Sequence, residues 1–307
     1  MRSLLGRIRC DSGQAFVFVA FVLMALVGMA ALVIDGGSWY RAQRHLQTAA
    51  DAAALAGAQE LPTKPSTATT VALDYAQRNY AGVPNPTVTF PDAATIDVSA
   101  TATAPGVFAR IYGAAFDEVD ISARAQARVS APLELKNVAP IAVYKDEACI
   151  VSEPSCFGQS VTIAFSEDDP FDPTKSKFGL LDLDRDGHVG ADDVKDWIED
   201  GYQDFLPVDT DYPPATGEKN GIKQALEDAA DQERVLMFPV FDTANASTGF
   251  HIVGWAAFVI DEVVKWTGKE HELTGHFVTF IATDLAGGGT IPDPDLDFGV
   301  HVITLTH

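Results

Sequence analysis

Residues Ala15–Ile34 read AFVFVAFVLMALVGMAALVI, twenty residues with no charge and no proline. A helix rises by ~1.5 Å per residue, so this stretch covers ~30 Å, the thickness of the hydrocarbon core of a bilayer. The apolar region of a cleaved signal peptide has only ~7–15 residues. The stretch therefore predicts an uncleaved signal anchor at 15–34, with Trp39 and Tyr40 at the depth of the membrane interface.

The charges on either side of this stretch indicate its orientation. Residues 1–14 carry Arg2, Arg7 and Arg9 against a single acid, Asp11. Basic residues beside a transmembrane helix favour the cytoplasmic side, and two later arginines weaken this preference without reversing it. We therefore expect a single-pass protein of the cell membrane, with a cytoplasmic tail at 1–14 and the bulk of the chain extracytoplasmic.

The composition limits the classes of function. The chain has 307 residues, 21 Lys+Arg against 43 Asp+Glu, and a formal net charge of −22. This acidic balance argues against nucleic acid as a partner, because phosphate binding needs clusters of Lys and Arg. With 47% hydrophobic residues the chain can fill a core, which excludes global disorder. Three cysteines are too few for a zinc or iron–sulfur site of four cysteines.

A dense sequence motif surrounds and follows the anchor. It consists of Gly13-Gln14, Asp35-Gly36-Gly37, Tyr40-Arg41-Ala42-Gln43-Arg44, Leu46-Gln47, Ala50-Asp51 and Ala54 with Gly57. Over residues 13–58 this pattern resembles the N-terminus of TadE/TadG-like Flp pilus-assembly proteins. The likeness continues more loosely to about residue 283, through Phe108-Ala109-Arg110, Gly179-Leu180-Leu181-Asp182, Arg234-Val235 and Pro239-Val240.

The resemblance implies a non-catalytic structural or assembly component of the apparatus that builds Flp (tight-adherence) pili. Its implied partners are the membrane and other pilus-assembly subunits, contacted through the N-terminal helix, with no small-molecule substrate. Prepilin-like members of the system carry a processing Gly followed, five residues on, by Glu. In this chain Phe18 stands five residues after Gly13, which favours a TadG-like anchored component over a pseudopilin.

The remaining pattern predicts an α+β fold in two exported parts. A helix over 39–60 ends at Leu61-Pro62, and a second helix covers 67–82. Alternating residues in 88–129 are typical of strands, with a short helix at 108–116, so residues 35–131 form a small α+β unit. Residues 132–307 form a larger, β-rich α+β domain. Its predicted strands are Ile141–Tyr144, Val161–Phe165, Val235–Phe241, His251–Ile260, His276–Ala282 and Val300–Leu305.

The exported part of the first helix carries many small residues. They are Ala42, Ala49, Ala50, Ala53, Ala54 and Gly57. Small side chains allow close approach of a second helix, but alanine also simply favours a solvent-exposed helix. The sequence leaves these two interpretations open.

The stretch Asp182–Asp193 has the spacing of a calcium-binding loop. Carboxylates at positions 1, 3 and 5 and a glycine at position 6 let the chain curl around one ion, which takes six to eight oxygen ligands. The predicted Ca²⁺ ligands are Asp182, Asp184, Asp186, the backbone carbonyl of His188, and Asp193 in place of the usual glutamate. The alternative is an acidic turn without metal, because Asp and Gly also favour turns.

Cysteines and histidines supply the last candidate sites. Cys149 and Cys156 lie seven residues apart outside the cytoplasm and are expected to form a local disulfide, with two free thiols as the alternative. The sequence His271-Glu272-Leu273-Thr274-Gly275-His276 resembles a zinc protease motif, but its second histidine is one residue too far along. On a helix the two imidazoles would point ~140° apart, so they would not share a metal.

The sequence is compatible with two classes of function. The first is the anchored pilus-assembly component, and the second is a surface-exposed, calcium-stabilised binding or adhesion module on the same signal anchor. An enzyme is not expected, because the sequence shows no nucleophile–base pair, complete metal triad or phosphate-binding loop.

Overall fold

A computed structural model describes residues 12–81, 86–113, 117–151, 156–172, 174–187, 189–215, 221–282 and 296–306. It has the predicted α+β composition, with a long N-terminal helix followed by β-rich structure. The predicted cytoplasmic tail lies outside the described residues except for 12–14, which begin the first helix. By internal contacts the chain divides into two compact units. The first comprises Met1–Ala53, Ala72–Thr89 and Val98–Ala125, and the second Ala54–Val71, Phe90–Asp97 and Gln126–His307.

Helix α1, Ser12–Ala58, is continuous over 47 residues and contains both the predicted anchor and the segment predicted to be exported. Within the described part of the chain, it is the one helix long and apolar enough to cross a membrane. Helix α1 ends before Leu61-Pro62, as the prolines predict, and helix α2 covers Pro65–Asn79. Proline is well suited to the first turn of a helix, where its missing N–H would have no partner.

Three strands accompany α1 and α2 in the N-terminal region. They are β1 (Thr87–Asp92), β2 (Thr95–Pro105) and β3 (Glu118–Ser130), with a 3₁₀ helix at Ala109–Tyr112 between the last two. On β2 and β3 alternate side chains are buried, as the period of a strand requires: Ala100, Ala102 and Ala104 on one, Ile121, Ala123 and Ala125 on the other. The 3₁₀ helix is shorter than the helix predicted at 108–116, of which residues 114–116 lie outside the described residues.

The remaining elements form the β-rich part. They are β4 (Glu134–Leu135), β5 (Ile141–Tyr144), β6 (Ser160–Ser166), β7 (Phe178–Leu180), α3 (Ala191–Glu199), β8 (Leu206–Pro207), β9 (Thr210–Tyr212), α4 (Ile222–Asp231), β10 (Val235–Asn245), β11 (Gly249–Thr267), β12 (Glu270–Val278), β13 (Phe280–Ile281) and β14 (Val300–Thr306). One sheet has the order β1-β2-β3-β14-β13. A second has the order β6-β12-β11-β10-β5-β7, with β9 beside β11, and β4 pairs with β8.

Aromatic side chains fill the core between the second sheet and helices α3 and α4. Phe258 packs against Phe238 and Phe277, with ring centroids 5.1 Å and 4.9 Å away. Val194 and Leu226 belong to the same buried cluster and bring the two helices onto this face of the sheet. Burial of this apolar surface is the main stabilising contribution to the domain.

Of the six predicted strands, five match a single observed strand and one is corrected. The predicted strand His276–Ala282 is two strands, because β12 ends at Val278 and β13 begins at Phe280. At this point the chain changes sheets: the N–H of Phe280 bonds to the carbonyl of Gly299, and that of Ala282 bonds to His301. The stretch predicted as one strand therefore contributes one strand to each of two different sheets.

Candidate functional site

Asp35 is the first charged residue after the apolar stretch, and its side chain is fully buried. Its carboxylate accepts hydrogen bonds from the backbone N–H groups of Val107 at 3.2 Å and of Phe108 at 2.8 Å. A third, short bond comes from the N–H of Ala109. These N–H groups lie at the start of the 3₁₀ helix, where the backbone has no helical partner for them. A carboxylate at this position satisfies three donors with charge-assisted bonds.

Three further side chains of α1 continue this attachment at intervals of four residues. Trp39 donates from Nε1 to the carbonyl of Pro105 at 3.2 Å. Gln43 donates to the carbonyl of Ser122, and Gln47 donates to that of Arg124 at 2.9 Å. We call Asp35, Trp39, Gln43 and Gln47 the polar ladder. Successive residues of the ladder lie about one turn apart on the same face of the helix.

The pitch of the helix matches that of the strand beside it. Gln43 and Gln47 are ~6 Å apart along the helix axis, and their partners, two residues apart on β3, are ~6.6 Å apart along the strand. The same type of bond can therefore repeat from one turn to the next. The sequence contained a signal for the ladder, polar residues spaced by four after an apolar span, but its strand partners were not predicted.

Most of the small residues of α1 are buried inside the protein. Ala49, Ala50, Ala53 and Ala54 are fully buried together with Leu46, and Gly57 is buried. This burial corrects the interpretation as a solvent-exposed helix, because these residues are covered within the protein. It is compatible with the other interpretation, in which small side chains allow close approach of a second helix. Only Ala42 of the predicted set is partly exposed.

The predicted anchor segment is exposed rather than buried. From Ala15 to Ile34 nearly every side chain is exposed, including Phe16, Met24 and Val33. Soluble proteins rarely expose an apolar surface of this extent, because its contact with water is unfavourable. This half of α1 is therefore suited to a lipid environment or to contact with other apolar helices.

The acidic loop brings together three of its five predicted ligands. Oxygen atoms of Asp182, Asp184 and Asp186 lie within 4.8 Å of one another. Asp182 is buried and accepts hydrogen bonds from the N–H groups of Arg185 at 2.8 Å and Gly187 at 3.0 Å. Burial raises the pKa of Asp182, and the neighbouring Asp184 raises it further, whereas the two N–H groups oppose the shift.

Asp193, another of the predicted ligands, is not part of this cluster. Asp193 accepts a hydrogen bond from the N–H of Gly190 at 2.9 Å, so its carboxylate caps helix α3. His188 lies outside the described residues. Helix α3 begins at Ala191, the tenth residue of the stretch Asp182–Asp193.

Cys149 and Cys156 are joined by a disulfide in the structure, with their Cα atoms 5.7 Å apart. This spacing is typical of disulfides. Cys149 is buried, and Cys156 packs against the same core cluster. The bridge therefore closes a short loop at the edge of the core.

The two histidines of the protease-like motif lie on strand β12, not on a helix. Their separation of five residues places them on opposite faces of the strand. His271 is buried with Nε2 3.1 Å from Glu167, whereas His276 has Nδ1 3.0 Å from Asp261. Each imidazole therefore faces its own carboxylate, and the two do not form a common metal site.

Comparison with known proteins concerns the N-terminal segment. Residues 13–60 match the family described as Putative Flp pilus-assembly TadE/G-like. The chain matches no curated protein and no solved structure. The matched segment contains almost all of α1, including the apolar stretch and the whole polar ladder. The match supports an involvement in Flp pilus assembly and confirms that residues 13–60 form a TadE/G-like segment.

Proposed function

We propose that the protein is a membrane-anchored structural component of Flp pilus assembly. Residues 15–34 of α1 span the membrane once, with residues 1–14 in the cytoplasm and the rest of the chain extracytoplasmic. The observation that carries this proposal is the polar ladder, because it ties the exported part of α1 to folded structure immediately beyond the apolar stretch.

The ladder gives the protein a mechanical property that suits an assembly component. Helix α1 continues through Gly36 and Gly37 without interruption, although two adjacent glycines are unfavourable within a helix. Asp35 lies directly before these glycines and Trp39 two residues after them, so both flanks are bonded to the folded region. Tilting or turning the anchor would therefore move the first unit with it, rather than bend a loose linker.

The burial pattern of α1 supports a proposal for the surface that contacts other pilus-assembly subunits. In the exported half, Ala49, Ala50, Ala53 and Ala54 are already buried, so these small residues do not offer a docking face. The apolar side chains of 15–34 are exposed instead. We propose that partner subunits contact the protein through this membrane-embedded half, where van der Waals packing drives association between helices.

A non-catalytic role is part of the proposal. The description of the matched family names assembly. The arrangement of His271 and His276 on opposite faces of β12 also argues against the one enzyme motif that the sequence resembles.

The acidic loop supports a second, separate element of the proposal. We propose that it holds a structural Ca²⁺ ion through Asp182, Asp184 and Asp186, whose oxygens already lie close together. Calcium prefers such carboxylate oxygens. Its proposed role is to stabilise the fold rather than to take part in catalysis. This loop is also the feature on which the alternative function, a calcium-stabilised adhesion module, depends.

Photocrosslinking in pilus-bearing cells tests the proposed partner surface. A photoreactive amino acid replaces Leu26 in the exposed face of the anchor or, as a control, exposed Thr48 in the exported half. We expect the probe at position 26 to capture another pilus-assembly subunit and the probe at 48 to capture much less. A chain that is found in membrane-free medium, beginning after residue 30, would contradict the anchor itself.

A further inference from the structure

The turn before the 3₁₀ helix exposes two adjacent apolar side chains, Val107 and Phe108, which are 54% and 40% accessible. We propose that these two side chains insert into the outer surface of the bilayer and form a second membrane contact beside the anchor. This inference rests on the proposed function, because it requires that residues 15–34 span the membrane.

The hydrogen bonds of Asp35 set the position of this turn. Asp35 directly follows Ile34, the last residue of the apolar stretch, and therefore marks the membrane boundary. Its carboxylate is 3.2 Å from the backbone nitrogen of Val107 and 2.8 Å from that of Phe108. The backbone of the turn is thus held within hydrogen-bond distance of the residue that leaves the bilayer first.

The burial of Ala31 shows that folded protein extends past this boundary residue. Ala31 lies one turn before Asp35 on the same face of α1, ~6 Å closer to the centre of the apolar stretch. It is only 7% exposed, whereas Val33, on another face, is 73% exposed. Other parts of the described chain therefore cover the outermost turn of the anchor on the face that carries Asp35. When residues 15–34 span the membrane, these covering parts lie within the lipid headgroup region.

The chemistry of the surrounding side chains fits a lipid interface. Exposed Arg110 follows the turn, and its positive charge suits contact with lipid phosphates. Trp39 is half-buried, and Tyr40 is exposed one residue later. Aromatic and basic residues at the ends of a membrane span are typical interfacial anchors, and apolar side chains beside them gain by leaving water. Continuity with the anchor thus identifies the occupant of this surface as lipid rather than a separate protein.

Depth measurement on the full-length protein in phosphatidylcholine–phosphatidylglycerol vesicles tests the inference. An environment-sensitive fluorescent amino acid replaces Phe108, Val33 or Thr48, one position at a time, and nitroxide-labelled lipids serve as quenchers. Thr48 is an exposed control on the same helix, ~20 Å beyond Asp35 along its axis. We expect blue-shifted emission at position 108, with stronger quenching by a nitroxide near the headgroup than by one deep in the acyl chains.

The controls separate failure of the inference from failure of the proposed function. A probe at position 33 that lipid nitroxides do not quench would show that the anchor is outside the bilayer, which contradicts the proposed function. Quenching at 33 combined with a probe at 108 that behaves like the probe at 48 would overturn the inference alone. A blue shift at 108 without quenching would also overturn it, because protein rather than lipid would then cover the turn.

A second variant tests whether Asp35 positions the turn. In Asp35→Ala the three N–H groups lose their acceptor, so we expect quenching at position 108 to fall while quenching at 33 persists. Unchanged quenching at 108 in this variant would contradict the role assigned to Asp35.

Discussion

The carboxylate of Asp35 accepts a 2.8 Å hydrogen bond from the backbone N–H of Phe108, 73 positions later in the chain. This bond connects the end of the apolar stretch to the turn between β2 and β3. A charged side chain that is buried needs such partners, because an uncompensated charge away from water is strongly unfavourable. The attachment of anchor to folded region is therefore specific, and single substitutions can test it.

Asp35→Ala should lower the melting temperature of the full-length protein in detergent micelles by several degrees. The substitution removes the acceptor of three backbone N–H groups and leaves these donors unsatisfied. Asp35→Asn should lower it less, because one carbonyl oxygen remains. Asp120→Ala, at an exposed aspartate on β3, is the control and should have little effect. Equal melting temperatures for Asp35→Ala and Asp120→Ala would contradict the role of the buried carboxylate.

Leu46→Ala and Leu26→Ala make the same change at two points of α1 with different surroundings. Leu46 is fully buried in folded protein, so its truncation should cost ~2–5 kcal/mol in the free energy of unfolding. Leu26 is exposed in the anchor and stays in the micelle when the rest unfolds, so its truncation should change that free energy by less than ~0.5 kcal/mol. Denaturant titration in micelles measures both. Similar losses for the two variants would mean that the part of α1 after the apolar stretch does not pack as the structure shows.

Calcium should raise the thermal stability of the full-length protein in micelles. A loop with only three clustered aspartates should bind at ~10⁻⁴–10⁻³ M, the range of weak calcium modules, and at 100-fold excess over the dissociation constant the gain is ~2.7 kcal/mol. Asp184→Ala should abolish this gain, whereas Asp204→Ala, at another exposed aspartate, should retain it. Mg²⁺ should substitute poorly, because it demands near-octahedral ligands. A melting curve that does not respond to Ca²⁺ at tens of millimolar would leave the loop an acidic turn.

The cysteines Cys149 and Cys156 should be oxidised in protein isolated from its native compartment. Mass spectrometry after alkylation without reductant should find the two cysteines linked to each other. Because the loop between them is short, reduction should lower the free energy of unfolding by at most ~3 kcal/mol in the chain-entropy model. Alkylation of both cysteines without prior reduction would show that the bridge is absent in the cell.

Local patterns predicted much of the fold. The charge-free run at 15–34, the prolines at 62 and 65 and the alternation in β2 and β3 each act over a few residues, and the corresponding elements are present. The amphipathic pattern of α4, with Ile222, Leu226 and Ala229 buried, is also present in the sequence, although no helix was predicted there.

Features that depend on distant parts of the chain could not be predicted in this way. The partners of Asp35 lie more than seventy positions away and are backbone groups, which carry no sequence signature. The change of sheet between Val278 and Phe280 depends on Gly299 and His301, which the apolar run itself does not reveal. In the acidic loop, spacing correctly grouped three aspartates, but Asp193 instead accepts the N–H of Gly190, because helix capping competes for the same carboxylate.

Pilus formation tests the central claim, that the anchored protein acts in Flp pilus assembly. Cells lacking the protein are complemented either with the full chain or with a form in which a cleavable export signal replaces residues 1–34, and Flp pili are counted by electron microscopy. Full-length protein should restore the pili, and the exported but unanchored form should not, even at equal abundance. Normal pili in cells lacking the protein, or pili restored by the unanchored form, would contradict the account.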